Sequence, residues 1–298
     1  MSDFNDHWLA LRASADSRAR ADVLLRRLPL APGTCLRVLD LGCGTGANLR
    51  HLAPLLAAAG ASDQHWTCID HDAELLQRLR QRTAAWATDS SWPVRLDQQA
   101  VHIDADHWHC RVQTRHVDLA ASLADLDWPV GALVTASALL DLVSARWLDG
   151  LLQRCHAARC QLLFTLSYNG RCVLQPAQAD DALVIDLVNR HQLTDKGFGP
   201  ALGPTAAGAI QARCSRLGYQ VAAADSDWRI GPDEPDLQRA LIDGWRQAAR
   251  QLAPTLEDRI DAWYGARIAL IARAESRIEV GHRDMVAALG PAADPGCG

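Results

Sequence analysis

The chain has 298 residues, of which 49% are hydrophobic and 22% charged, with a formal net charge of −5. That balance is ordinary for a globular protein of one large domain or two small ones. It excludes the excess of positive charge that neutralises nucleic-acid phosphates. No stretch is long and apolar enough to read as a bilayer span, and the start of the chain lacks a basic segment followed by an apolar run. The expected location is therefore cytoplasmic. Nine cysteines are scattered without C-x-x-C spacing, which fits buried thiols in a reducing compartment and no disulfide or metal framework.

Trp8 to Leu28 reads as helical, with Asp16 capping a second helix that carries Val23, Leu24 and Leu28 on one face. Pro29, Pro32 and Gly33 end it, so residues 1–32 are expected to form an N-terminal helical cap. The arginines here (Arg18, Arg20, Arg26, Arg27) fit a solvated basic face.

Val38-Leu39-Asp40-Leu41-Gly42-Cys43-Gly44-Thr45-Gly46 then reads as a buried strand ending in an acid and a glycine-rich turn. Helical spacing follows through Leu49, Leu52, Leu55 and Leu56. Glycines here permit a tight turn and direct contact of a ligand with the backbone. Gly42 to Ala47 also satisfies the loose G-x-G-x-x-A form of a dinucleotide turn, so the glycines alone leave two cofactor classes open. Asp40 favours the cationic one. A carboxylate there repels a pyrophosphate and suits a ligand with an ammonium and a sulfonium, such as S-adenosylmethionine (SAM).

On these residues, D-x-G-x-G-x-G, the chain resembles the class I SAM-dependent methyltransferases. The resemblance implies that Asp40, Gly42, Gly44 and Gly46 bind the cofactor. It is strong from about Arg37 to Leu166 and weak beyond. It implies a doubly wound α/β fold: a mostly parallel seven-stranded sheet in the order 3-2-1-4-5-7-6, one strand antiparallel, with helices on both faces.

The second strand is Trp66 to Asp70. Asp70 lies at the distance from the glycine turn where an acid meets a ribose, and the resemblance gives it that role. Asp72 is expected to cap the next helix. His102, Asp104, Asp106, His107 and His109 form a metal-like cluster, but alternation with Val101, Ile103 and Ala105 makes them the outward face of a half-exposed strand, and no metal is expected. The third strand, Val112 to Val117, leads to Asp118 and Leu119, which the resemblance places at the adenine. The fourth, Ala132 to Ser137, leads to Asp141; Ser137 is placed at the cofactor. The segment lacks the Asn/Asp-Pro-Pro-Tyr/Phe sequence of amide-nitrogen methylating members. Cys160 to Ser167 contains the fifth strand.

After it, residues 168–204 are expected to form a substrate lid, since ligands of open α/β sheets bind beyond the carboxyl ends of the strands. Asn169, Arg171, Asn189, Gln192 and Lys196, the sole lysine, offer donors for an anionic or polyhydroxylated acceptor. His191, Tyr168 and Asp141 are the candidate catalytic groups; an imidazole's ordinary pKa suits it as a base. The sixth strand opens at Gly218. Residues 233–275 are expected to be an insertion of two helices, with Leu237, Leu241, Trp245, Leu252, Ile260, Trp263 and Ile268 as their apolar seam. The last strand follows at Ile278 to Val286, which closes a domain over 33–290 and leaves 291–298 as a disordered tail.

The reading is a SAM-dependent methyltransferase acting on oxygen or nitrogen of a small molecule, with no nucleic-acid or membrane partner and room for a homo-oligomer. The alternatives are an NAD-linked oxidoreductase and a non-catalytic SAM-binding protein.

Overall fold

The computed structural model describes residues 6–30 and 33–290; the expected tail at 291–298 lies outside the described residues. The chain alternates strand and helix from β1 (Cys35–Leu41) through α2 (Ala47–Ala58), β2 (Asp63–Asp70), α3 (Ala73–Asp89), β3 (Val94–Leu96), β4 (Ala100–Ala105), β5 (Trp108–His116), β6 (Leu133–Ser137), α4 (Ala145–Ala157) and β7 (Gln161–Gln175). It continues through α5 (Asp181–Gln192), α6 (Ala206–Arg216), β8 (Gln220–Asp225), β9 (Trp228–Ile230), α7 (Pro235–Leu252), α8 (Glu257–Ala272) and β10 (Arg277–Ala288). A helix, α1 (Asp6–Ala19), and a 3₁₀ turn, Asp22–Arg27, precede them.

The sheet order is β3-β4-β5-β2-β1-β6-β7-β10-β8, with β9 paired to β10. The seven expected strands are present in the expected order, as β5-β2-β1-β6-β7-β10-β8. Strands β5, β2, β1, β6 and β7 run parallel, and β10 is antiparallel to both its neighbours. Two differences extend the expected sheet. Strands β3 and β4 add an antiparallel hairpin beside β5, so β10 is not the only reversed strand. On β4, Val101 and Ile103 are buried and Asp104 is exposed, as the alternation requires. β9 adds a short partner beyond the end of β8.

Helices cover both faces because the central strands are apolar on both. Val38, Trp66, Cys68 and Leu163 pack against Leu49, Leu52 and Leu56 of α2 and Leu76 and Leu79 of α3. Leu39, Leu41, Val134 and Phe164 pack the other way, on Trp147, Leu148, Leu151 and Leu152 of α4 and Ile210 of α6. A third core gathers where β7 and β10 run on together. It joins Leu174 and Ile278 to Val184 and Leu187 of α5, Leu241 and Trp245 of α7 and Ile260 and Trp263 of α8. In the helical seam of 233–275, Leu237, Leu241, Trp245, Ile260 and Trp263 are buried, with Leu252 and Ile268 at its margin.

Two local expectations need correction. Asp16 does not cap a helix. It lies within α1, buried, where it accepts from Arg12 and from the indole of Trp228 at 3.0 Å. The expected lid at 168–204 begins as strand: β7 extends to Gln175 because β10 is long enough to pair with it throughout, Tyr168 opposite His282 and Gln175 opposite Arg277. Among the described residues no helix is long and apolar enough to cross a membrane.

His282 on β10 is 6% exposed and lies between aromatic rings, with its centroid 5.0 Å from Trp228 and 6.2 Å from Tyr168. Burial, aided by the nearby Arg12 cation, lowers its pKa from 6.5 to about 3. Protons therefore bind the unfolded histidine first, and the stability this group contributes is lost as pH falls from 6.5 towards 3. Urea titrations of His282→Phe between pH 7 and pH 5 should lack this part of the slope, which is at most ~1.4 kcal/mol per pH unit. Identical pH dependence in the variant and the wild type would contradict it.

Candidate functional site

The turn from β1 to α2 places Gly42, Gly44 and Gly46 at φ of +64°, +51° and +80°. A Cβ at Gly46 would lie 2.7 Å from Leu79 Cγ, and one at Gly44 3.3 Å from Leu9 of α1. The glycines thus serve two ends: left-handed backbone, and close approach of α3 and α1 to the turn.

Above this turn lies a cavity of about 800 Å³ at the carboxyl ends of β1, β2, β5 and β6. Its floor is Gly42 to Thr45 and Asn48; Asp70 to Asp72 and Asp118 to Ala120 line one end, and Ser137, Ala138, Leu139 and Leu142 the other. Helix α1 roofs it with Leu9, Ala10, Arg12 and Asp16. Lys196, Gly197 and Phe198 close the remaining side.

Asp70 is 5% exposed. One carboxylate oxygen accepts from Gly44 N at 2.8 Å and the other from Asp72 N at 3.1 Å. Each oxygen keeps acceptor capacity for a further donor. Asp72 caps α3 as expected, accepting from Glu74 N and Leu75 N. Asp118 is exposed at the cavity edge and binds Ala120 N at 2.9 Å. Leu119 beside it is buried, its carbonyl held by the Trp147 indole at 2.6 Å.

Asp40 is fully buried beneath the turn and does not line the cavity. It accepts from Asn48 Nδ2 at 2.7 Å, and its second oxygen has no partner. Burial pushes its pKa up to about 7. Its influence reaches the cavity through Asn48, whose own Oδ1 accepts from Arg20 at 2.6 Å.

Arg20 was not singled out from its run of arginines, and it is the most unusual group here. Its guanidinium lines the cavity and bonds only to neutral oxygens: Asn48, Ser137 Oγ at 3.1 Å and Thr165 Oγ1 at 3.3 Å. It forms no ion pair among the described residues, its Nε has no partner, and burial lowers its pKa. The other arginines of the cavity are neutralised, Arg12 by Asp16 and Arg78 by Asp6 and Glu74. A buried cation without an anion is costly, so this arrangement suits a ligand that brings a carboxylate.

The remaining candidates are distributed differently. Tyr168 is buried, donates to Asn189 Oδ1 at 2.7 Å, and does not line the cavity; burial raises its pKa. Asn189 in turn donates to Gly170 O at 3.0 Å. Asp141 is buried and does not line the cavity; one oxygen is unpartnered, and burial raises its pKa to about 6. His191 lies outside the cavity lining at the end of α5, with Gln251 Oε1 at 2.9 Å and Lys196 Nζ at 3.2 Å. Arg171 is exposed and ion-paired with Asp227 and Glu279, and Asn169 accepts from its backbone N–H. Gln192 ends α5 without lining the cavity. Of the five expected acceptor-binding residues, the structure brings only Lys196 to the cavity wall.

A family profile described as a methyltransferase domain matches residues 39–144, the span that holds the glycine turn, Asp70 and Asp118. No curated protein matches the chain. Among solved structures, mycolic acid cyclopropane synthase CmaA1, complexed with S-adenosylhomocysteine (SAH) and CTAB, is 12% identical over 89% of this chain and 82% of that one, with a TM-score of 0.45. A SAM-dependent methyltransferase from Thiobacillus denitrificans, in complex with SAH, is 16% identical over 96% and 99%, with a TM-score of 0.44. Phosphoethanolamine N-methyltransferase 2 of Haemonchus contortus, in complex with SAM, is 12% identical over 97% of this chain and 58% of that one, with a TM-score of 0.43. At these identities and scores the likenesses carry nothing about acceptor or mechanism. The profile match spans the strand–glycine–helix unit and the acids that follow it, so residues 39–144 are similar to a methyltransferase domain.

Proposed function

We propose that the protein transfers the sulfonium methyl group of SAM to oxygen or nitrogen of a small-molecule acceptor. The observation that supports this best is the cavity itself. Its 800 Å³ run continuously from the cofactor turn to the side closed by Lys196 to Phe198, roofed by α1. That volume falls within the ordinary range for small-molecule sites. Of the carboxylates that line it, Asp6, Asp16 and Glu74 are paired with Arg78 and Arg12, which leaves Asp70, Asp72 and Asp118 without an arginine. Such a lining disfavours the pyrophosphate of a dinucleotide and suits a ligand bearing positive charge.

SAM, when bound, supplies an activated methyl group that a nucleophile takes by in-line displacement. The chain's own residues hold and align. Arg20 is the counter-ion of the cofactor's carboxylate, and Ser137 and Asn48 fix the guanidinium. The free acceptor capacity of Asp70 takes the ribose hydroxyls. Asp118 and Leu119 flank the adenine. Helix α1 excludes water, and catalysis is by positioning. Tyr168 is not the base in this reading, since its raised pKa and its bond to Asn189 hold the phenol neutral.

Incubation with methyl-labelled SAM and a cell extract split by mass tests the reading. Label should enter the low-mass fraction, and Asp70→Ala should abolish this. Label confined to macromolecules would contradict a small acceptor. In calorimetric titration with SAH, Arg20→Met should bind at least ~10-fold more weakly, the loss of a charge-assisted contact; unchanged affinity would remove Arg20 from the site. Gly46→Ala should lower the melting temperature as well as SAH affinity, because φ is +80° and the added carbon meets Leu79. A variant as stable as the wild type would contradict the steric account.

A further inference from the structure

The cavity has one more cation whose charge is not answered. Lys196 is the only lysine in the chain. It is half-buried on the cavity wall, and its Nζ meets only neutral partners, Thr194 Oγ1 at 3.0 Å and His191 Nδ1 at 3.2 Å. It forms no ion pair among the described residues. Burial lowers the pKa of its partner His191, and the Lys196 charge adds to this, so the imidazole next to the ammonium is neutral at pH 7. In a chain of net charge −5, whose cavity is rich in carboxylates, a lone lysine left without one is unusual.

The segment that carries it is held in place. Asp195 Oδ1 accepts from Gly197 N at 2.7 Å and Gly199 N at 3.0 Å. Bridges tie Asp195 to Pro200 and Ala201 to Ser144. Phe198 packs edge-on against Trp147, with centroids 5.3 Å apart. The ammonium is therefore presented from a fixed loop, and its position is prepaid in entropy. Beside it in sequence, Phe198 also lines the cavity and packs on the apolar core.

Resting on the methyltransferase reading, we propose that Lys196 binds an anionic group of the methyl acceptor, and that the acceptor joins a carboxylate or phosphate to an apolar body. The argument divides the cavity's cations. Arg12 and Arg78 are neutralised by the protein. Arg20 lies at the Gly42–Asn48 end with Ser137, where the cofactor's own carboxylate falls. Only Lys196 remains for the second substrate, and the ring of Phe198 on the same loop gives an apolar body something to pack on.

The test uses calorimetric titration of wild type, Lys196→Met and Lys196→Arg. SAH is titrated first. It should bind wild type and Lys196→Met equally; failure of wild type to bind SAH would overturn the methyltransferase reading itself. Benzoate, phenyl phosphate and the neutral benzamide are then titrated into the SAH-loaded proteins. At least one anion should bind wild type about tenfold more tightly than benzamide, lose that advantage in Lys196→Met and regain it in Lys196→Arg. Whichever anion binds more tightly identifies the group as carboxylate or phosphate. Binding of neither anion, equal binding of benzamide, or an anion preference that survives Lys196→Met would overturn the proposal. A loss of SAH affinity in Lys196→Met would also overturn it, by assigning the lysine to the cofactor.

Discussion

A guanidinium buried among neutral oxygens sets the terms for the rest of this structure. Arg20 stands where the roof of the cavity meets the sheet. Its side chain touches Asn48 at the start of α2, Ser137 at the end of β6 and Thr165 on β7, so three elements converge on one cation. The backbone around it is fixed from a fourth. Asp284 on β10 accepts from Ala21 N at 2.9 Å and from Leu166 N at 2.7 Å, where Leu166 itself has φ of +55°. The cation is thus held in a desolvated place where Asp16, Asp284, Asp40 and Asp22 act on it from a distance but none of the described acids forms an ion pair with it. Such an arrangement stores a cost that an anionic ligand relieves.

The elements on either side follow from this constraint. The glycine turn lets α1 and α3 close on the β1 end, and α1 in turn brings Arg20 over the strands. Asp16 and Arg12 pair within α1 and pack on Trp228, with the Arg12 guanidinium 4.9 Å from that ring's centroid. This ties the roof to the third core, where α5, α7 and α8 pack. The same core carries the loop that presents Lys196, through the His191–Gln251 contact between α5 and α7. The helices at 235–272 therefore do more than extend the domain. They back both the roof of the cavity and the wall that carries Lys196.

Much of this was legible in the residues. The buried strand, the three glycines and the acids at 70 and 118 depend on local spacing, and local spacing is what a sequence displays. The sheet order came with the resemblance those residues carry. What escaped depends on distant partners. Nothing near Arg20 distinguishes it from Arg18, Arg26 or Arg27; only the fold brings it to Asn48, Ser137 and Thr165. Asp16 looked like a helix cap because its actual partner, Trp228, lies 212 residues away. Tyr168 to Arg171 looked like the start of a loop because its polar, glycine-containing sequence hides the pairing that β10 imposes. Lys196 stood out by rarity alone, and the structure supplied the reason to keep it while setting Arg171 and Asn189 into contacts of their own.

The most direct measurement is a crystal structure of the protein with SAH. The account requires the ligand's carboxylate within hydrogen-bonding distance of the Arg20 guanidinium, its ribose hydroxyls at Asp70 and its adenine beside Leu119. A ligand bound with its carboxylate away from Arg20, or bound outside the cavity above the Gly42–Gly46 turn, would contradict it.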